Sequence, residues 1–150
     1  MKVRIAEKTD IPSLIAFNQA MALETEGKRL VDELISEGVA AVFEDRGKGF
    51  YVVAENEGGI VGGLMITYEW SDWRNAWFWW IQSVYVVPES RGGGVYRELH
   101  EFVRDLARKR PDVFGIRLYV EKENFGAQKV YERMGMEETA YLMFEEELDR

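Results

Sequence analysis

The sequence predicts an α/β fold of the α+β type, with a mixed, mostly antiparallel central sheet of about seven strands flanked by about four helices. Three apolar segments follow one another between residues 50 and 87. Polar or glycine-rich turns at 56–59 and 71–75 join them, which is typical of antiparallel strands. The third segment runs through a proline into consecutive glycines and then an amphipathic stretch, which indicates a strand, a loop and a helix.

The length and composition of the chain limit the number of domains and the kinds of site that it can contain. With 150 residues, 47% hydrophobic and 31% charged, the chain suits a single domain over 1–150 with one good core. It has no cysteine, which excludes disulfides, thiolate metal sites and a cysteine nucleophile, and we expect no metal. The single histidine, His100, falls inside a predicted helix, where we expect an exposed or half-buried structural role.

The net charge of −8 opposes binding to phosphate backbones and anionic lipid, and it favours cationic partners. The N-terminus has neither an apolar signal core nor an Arg-rich transit pattern, and no apolar run approaches the length of a membrane span. We therefore expect a cytoplasmic protein that binds neither nucleic acid nor membrane.

The chain opens with a short strand and two helices. Residues 2–6 alternate like a strand, and Thr9 or Asp10 can cap the following helix, whose first turn tolerates Pro12. A second helix is predicted over about residues 30–36. Glycines then interrupt the chain before the sheet begins.

The remaining elements are predicted in the order strand, strand, strand, helix, strand, helix, strand, strand. The helix after the glycines carries one apolar stripe and ends before Pro111, and the other helix follows Asn124. The predicted strands lie at 50–55, 60–70, 77–87, 115–120, 137–140 and 142–146.

The loop Arg-Gly-Gly-Gly at 91–94 is the strongest binding candidate. Glycines remove the side chains that would hold an anion away from the backbone, and the first amides of the next helix lack intrahelical partners. Arg91 adds a positive charge. The loop lacks both the Gly-Lys-Ser/Thr ending of a nucleotide P-loop and the third glycine of a dinucleotide fold. The pattern predicts a phosphate-binding loop of another kind.

A second motif lies downstream. A strand is predicted to end near Val120. Asn124 is at the predicted N-cap of the following helix, and Gly135 is predicted to end that helix. Together the two segments resemble the GNAT family of acyl-CoA-dependent N-acetyltransferases. Arg91 and Gly94 match the start of that family's pyrophosphate loop, Q/R-x-x-G-x-G/A. Its second cofactor motif is matched by Asn124, Ala127, Tyr131 and Gly135.

The resemblance implies acetyl-CoA as cosubstrate, and strands four and five that splay apart to admit its pantetheine arm. The pyrophosphate is expected on the amides of residues 91–96. Tyr96 replaces the Gly or Ala usual at the sixth loop position, so its ring must turn away from the phosphates or change how they sit. The expected cofactor-binding residues are Val84, Tyr85, Val86, Arg91, Gly92, Gly93, Gly94, Val95, Tyr96, Asn124, Ala127 and Tyr131.

The implied chemistry is attack of a neutral primary amine on the thioester. Tyr131 stands where the family commonly places the acid that protonates the departing thiolate, although it could also be a core residue. Glu24 and Glu26 are candidate bases, as is Glu69. Gln82 completes the candidate catalytic set, at a strand-four position where many relatives carry a glutamate; an amide cannot accept the proton.

Aromatic residues crowd the predicted hairpin between residues 70 and 80. Rings that alternate along a strand lie on both faces, so some are expected to line a pocket or a subunit interface. Such rings would suit an ammonium group. The alternative is an aromatic hairpin packed on its own helices.

The leading hypothesis is an N-acetyltransferase for a small cationic amine, with some likeness to polyamine and diamine acetyltransferases and with a homodimer expected. Protein or peptide amines are the alternative acceptors. A different class, a catalytically weak or inactive acyl-CoA-binding sensor, is favoured by Gln82 and Tyr96. A nucleotide-phosphate binder is disfavoured by the loop ending and by the second motif.

Overall fold

The computed structural model describes residues 1–149 and contains two compact units, Met1–Tyr119 and a second that begins at Val120. The first unit holds a five-stranded sheet and three helices, and the second holds one helix. In chain order the elements are β1 (Lys2–Ile5), α1 (Ile11–Glu26), α2 (Asp32–Glu44), β2 (Phe50–Asn56), β3 (Gly59–Ser71), β4 (Ala76–Val86), α3 (Val95–Arg108), β5 (Val113–Arg117) and α4 (Phe125–Arg133).

The sheet has the order β1-β2-β3-β4-β5. The first four strands are antiparallel, and tight turns join β2 to β3 and β3 to β4. The fifth is parallel to β4, since the α3 crossover returns the chain in the same direction. The α+β class and the mixed, mostly antiparallel sheet are confirmed. The expectation of one domain over 1–150 stays a prediction.

The prediction of about seven strands is wrong, because the described part of the chain forms five. Neither 137–140 nor 142–146 is a strand. A strand forms only where a neighbour supplies ladder hydrogen bonds, and pairing cannot be deduced from apolar alternation alone. Leu142 and Phe144, which belong to the second of these segments, are 74% and 91% exposed.

Strands β4 and β5 pair over a short length only. Their registered pairs run from Trp77 with Val113 to Trp80 with Arg117, where β5 ends. From residue 81 to Val86, β4 therefore continues without a β5 partner. Beyond Trp80 the edge of β4 is therefore not covered by β5, and the splay of the two strands stays a prediction.

A β-bulge interrupts β4 within that open stretch. Gln82 opposes Met65 and Tyr85 opposes Gly63, so two residues of β4 face one of β3. Ser83 adopts a φ of 53°, in the left-handed region. The extra residue reverses the alternation of faces and brings Tyr85 to the face that also carries Gln82.

Helix α2 is longer than predicted. The sequence indicated a helix over about 30–36, whereas α2 begins at Asp32 and continues to Glu44. Gly38 weakens the intrinsic helical signal. Burial compensates for it, because Val39 and Val42 in the second half pack with Leu14 of α1 against the sheet.

Two apolar cores cover opposite faces of the sheet. Helices α1 and α2 cover one face, and α3 covers the other with the predicted apolar stripe. The expectation that His100 is exposed or half-buried is wrong, because α3 turns it into the core with 1% exposure. Its Nδ1 lies 2.9 Å from the hydroxyl of Tyr96, which satisfies the buried ring nitrogen.

Burial lowers the pKa of His100 from 6.5 to about 4. The unfolded chain therefore binds more protons than the folded one below pH 6.5, so the free energy of unfolding falls as the pH falls toward 4. We expect His100 to account for a loss of about 3 kcal/mol over this range. Between pH 6.5 and 4, the melting temperature of the wild type should fall more steeply than that of His100→Leu. An equal pH dependence of the two melting temperatures would show that the histidine is not responsible.

Candidate active site

The glycine-rich loop is open to solvent at the start of α3. Gly92 and Gly94 have φ values of 80° and 85°, which favour glycine. Gly93 has no such requirement, and a Cβ placed there would meet only the Ser90 carbonyl oxygen at 3.5 Å. Neither backbone strain nor packing within the chain explains Gly93, whereas close approach of a ligand would.

The loop amides are placed to bind an anion. Those of Gly92, Gly93 and Gly94 have no acceptor among residues 1–149. They precede α3, a helix of 14 residues, whose N-terminal end carries the positive end of the helix dipole. The exposed loop therefore offers backbone donors beside a favourable electrostatic field.

Arg91 lies along the open edge of β4. Its Nε donates to the Val86 carbonyl oxygen at 2.8 Å, and its Nη2 bonds both Glu24 carboxylate oxygens at 3.2 and 2.9 Å. The guanidinium also lies 5.4 Å from the Tyr85 ring centre. The structure thus brings Glu24, Tyr85, Val86 and Arg91 together, with Glu24 paired to the loop arginine.

The ring of Tyr96 points away from the loop amides. It packs against the core, and its hydroxyl meets His100 inside α3. Val95 is buried in the same core. These two side chains anchor the start of α3 and leave the backbone of the loop exposed.

Gln82 lies on the open part of β4 just before the bulge. Its Nε2 donates to the Thr67 hydroxyl at 2.6 Å, across the β3–β4 pair. The amide oxygen of Gln82 cannot serve as a base at neutral pH. Val84 follows the bulge at the expected cofactor edge, and its side chain packs toward the α3 core.

A polar cluster formed by Glu69, Trp80 and Arg117 stands at the fork between β4 and β5. Glu69 Oε1 accepts from Trp80 Nε1 and from Arg117 Nη1, both at 2.9 Å. The Arg117 guanidinium lies 3.6 Å from the centre of the Phe78 ring. Hydrogen bonds from Trp80 and Arg117 outweigh burial and lower the pKa of Glu69, which stays a carboxylate at neutral pH.

The sequence indicated Glu69 only as one of several candidate bases and did not single out Arg117. A signal existed, because Arg117 is a charged residue in an otherwise apolar strand. Its partner could not be deduced, since the Trp80–Arg117 register depends on where the α3 crossover returns.

The aromatic hairpin divides between core and surface. Trp79 is buried at 4% exposure, whereas Trp70 and Trp73 are 49% and 88% exposed. Tyr68 and Trp77 pack partly against the α3 core. Trp77 and Trp79 share the α3 face, and alternation along β4 puts the Phe78 ring between them on the other face, as expected.

The second unit contains the second motif. Asn124 caps α4, and its side chain accepts from the Ala127 amide at 3.1 Å, as predicted. Gly135 ends the helical segment with a φ of 95°. Burial raises the pKa of Tyr131, so its phenol stays protonated at neutral pH.

Within residues 1–149, no cluster of three or more His, Asp or Glu side chains is arranged to hold a metal ion. The described helices include none with the length and apolar character needed to span a membrane.

A family model and a solved structure both match most of this chain. The model of the acetyltransferase (GNAT) family matches residues 14–136. A crystal structure of a "possible acetyltransferase" from Clostridium difficile 630 is 42% identical, with a TM-score of 0.92 over 99% of this chain and 98% of that one. No protein of curated function matches the chain.

More distant structures share the fold. A "predicted acetyltransferase with acetyl-CoA" from Clostridium acetobutylicum is 20% identical, with a TM-score of 0.77 over 96% of this chain and 95% of that one. A ribosomal-protein-alanine N-acetyltransferase from Brucella melitensis biovar Abortus 2308 is 16% identical, also with a TM-score of 0.77, over 99% and 100%.

Proposed function

Because this chain belongs to the acetyltransferase (GNAT) family, we propose that it transfers the acetyl group of acetyl-CoA to a small cationic primary amine. The observation that carries the proposal is the exposed glycine loop beside the unpaired edge of β4. Both features suit a ligand with a phosphate group and an extended, amide-containing arm.

The residues present fit CoA. The amides of Gly92 to Gly94 would receive the pyrophosphate, and the open edge of β4 at Val84 and Val86 would bind the pantetheine arm through backbone groups. Arg91 supplies a positive charge, but in this structure it bonds Glu24 and the Val86 carbonyl oxygen. That oxygen has a second lone pair with which it could accept a hydrogen bond from the arm.

When bound, the thioester of acetyl-CoA would supply the activated acetyl group. The residues of this chain would position the thioester and protonate the departing thiolate. The bulge leaves backbone groups near Val84 outside the regular β3 ladder, so the Val84 amide is our candidate donor to the thioester carbonyl oxygen. Tyr131, whose pKa is raised by burial, is our candidate acid for the departing thiolate.

Removal of the amine proton requires a different group. Gln82 cannot perform it, and we propose that its amide instead helps to orient the acceptor. Glu24 remains a candidate base through water, although its carboxylate is engaged by Arg91. The likeness to polyamine acetyltransferases, a homodimeric state and a cytoplasmic location also remain predictions from the sequence.

A panel of acceptors tests the proposed substrate class. Because the net charge of −8 and the aromatic faces both attract cations, cationic amines should be acetylated faster than carboxylate-bearing ones, and added salt should weaken capture. Thiol release from acetyl-CoA measures the rates. A faster rate with carboxylate-bearing acceptors that lack a second amine, at low ionic strength, would contradict the cationic assignment.

A catalytically inactive acyl-CoA binder is the second candidate, favoured by an amide at position 82 that is held by Thr67. It predicts tight CoA binding without thiol release for any amine in the panel. The two functions therefore give opposite results in the same assay.

A further inference from the structure

The polar cluster of Glu69, Trp80 and Arg117, with the Phe78 ring beside it, is formed by residues from three strands. Glu69 lies on β3, Phe78 and Trp80 on β4, and Arg117 at the end of β5. Gly115 makes room for it, because a Cβ there would lie 3.0 Å from the Phe78 ring that carries the Arg117 guanidinium. The two hydrogen bonds to Oε1 fix the carboxylate of Glu69.

The carboxylate of Glu69 is more accessible to a solute than the guanidinium of Arg117. Glu69 Oε1 is used by Trp80 and Arg117, but Oε2 accepts no hydrogen bond from the described residues, and the side chain is 42% exposed. Arg117 is 24% exposed, donates to Glu69 and lies over Phe78. A solute therefore meets the anionic oxygen more readily than the cation.

Aromatic rings belong to this cluster or lie next to it. Trp80, which bonds Glu69, lies with its ring centre 6.2 Å from that of Tyr119. A partly exposed carboxylate in a cluster that contains aromatic rings suits a hydrated or alkylated ammonium group. The chemistry of the cluster matches a cation better than a neutral or anionic group.

The cluster also lies at a useful distance from the proposed reaction centre. Trp80 is the last β4 residue paired with β5, and Gln82 is two residues further along on the same face. With a rise of about 3.3 Å per residue, Trp80 stands roughly 7 Å from Gln82 and roughly 13 Å from Val84 along the strand. One acceptor molecule could reach both places.

We propose that Glu69 is the specificity-determining residue of the acceptor site, and that its Oε2 binds a second ammonium group of a diamine whose first amine is acetylated beside Gln82 and Val84. This inference rests on the proposed acetyltransferase function and names the residue that selects the acceptor. Arg117 and Trp80 act as positioning residues, because they hold the carboxylate in place.

Glu69→Gln tests the inference. The amide oxygen can still accept from Trp80 and Arg117, but a neutral NH2 group replaces the anionic Oε2. We expect KM for diamines to rise about 10- to 100-fold, as for a lost hydrogen bond to a charged group, with kcat nearly unchanged. KM for a monoamine of the same chain length should change less than about two-fold.

Glu57→Gln is the matched control, because it makes the same charge change on an exposed turn. A series of α,ω-diamines of increasing length adds a readout that a purely structural role would not move, since the wild-type length preference should disappear in Glu69→Gln. Melting temperatures of all variants establish that they are folded.

The outcomes separate this inference from the function on which it rests. Wild-type protein that acetylates no amine overturns the proposed function and this inference with it. If wild type acetylates both amine classes and Glu69→Gln raises KM equally for both, or for neither, the function stands and the role of Glu69 is overturned.

Discussion

Tyr131→Phe is expected to lower kcat by about 10²- to 10⁴-fold, the range typical of general acid catalysis, while acetyl-CoA affinity stays within a few-fold. Phenylalanine keeps the ring and removes the hydroxyl group that carries the proton. The pKa of Tyr131 is raised by burial, so its phenol carries that proton at neutral pH. The chain contains no cysteine that could substitute.

Tyr141→Phe is the control for this prediction, because it removes a phenol from a side chain that is 77% exposed. It should leave kcat and CoA affinity unchanged. A core role for Tyr131 predicts a different pattern, in which Tyr131→Phe lowers the melting temperature but turns over normally once folded. Wild-type kcat in a folded Tyr131→Phe enzyme would remove the acid assignment.

Gly93→Glu is expected to abolish acetyl-CoA binding without unfolding the protein. Gly93 has no left-handed φ, and a Cβ there makes only an ordinary contact, so the fold can accept a side chain. The carboxylate would place negative charge and bulk among the amides proposed to hold the pyrophosphate. Calorimetric titration with CoA measures the loss directly.

Gly58→Glu adds the same charge and volume at another exposed glycine without a positive φ, in the β2–β3 turn. It should bind CoA as wild type does, since the turn has no proposed contact with the ligand. Unchanged affinity in a folded Gly93→Glu protein would show that the loop does not hold the phosphates. Gly94 is less suitable, because its φ of 85° would strain any other residue.

Local signals in the sequence were sufficient for most of the helices and strands. Turn residues identified the β2–β3–β4 meander, and the apolar stripe of α3 and the Asn124 cap of α4 were also read from periodicity and capping. The errors occurred where tertiary contacts decide. The second half of α2 depends on burial of Val39 and Val42, and the apolar alternation after residue 136 does not form a ladder.

The candidate site likewise contains features that local sequence predicts and features that depend on tertiary contacts. The exposed glycine loop followed from residue type and order alone, because glycine content is a local property. The bulge at Ser83, the ion pair of Arg91 with Glu24 and the Glu69–Arg117 bond join residues distant in sequence or depend on strand register. Patterns of spacing within a single chain segment cannot reveal such pairs.

The most direct test of the account follows an isotopic label from acetyl-CoA to product. Wild-type protein is incubated with acetyl-CoA labelled in the acetyl group and with a diamine, and mass spectrometry identifies the products. The account predicts labelled N-acetyl-diamine in equal amount to the CoA released, and none with Gly93→Glu. Tight binding of CoA by wild type without any labelled amide, for every amine offered, would contradict it.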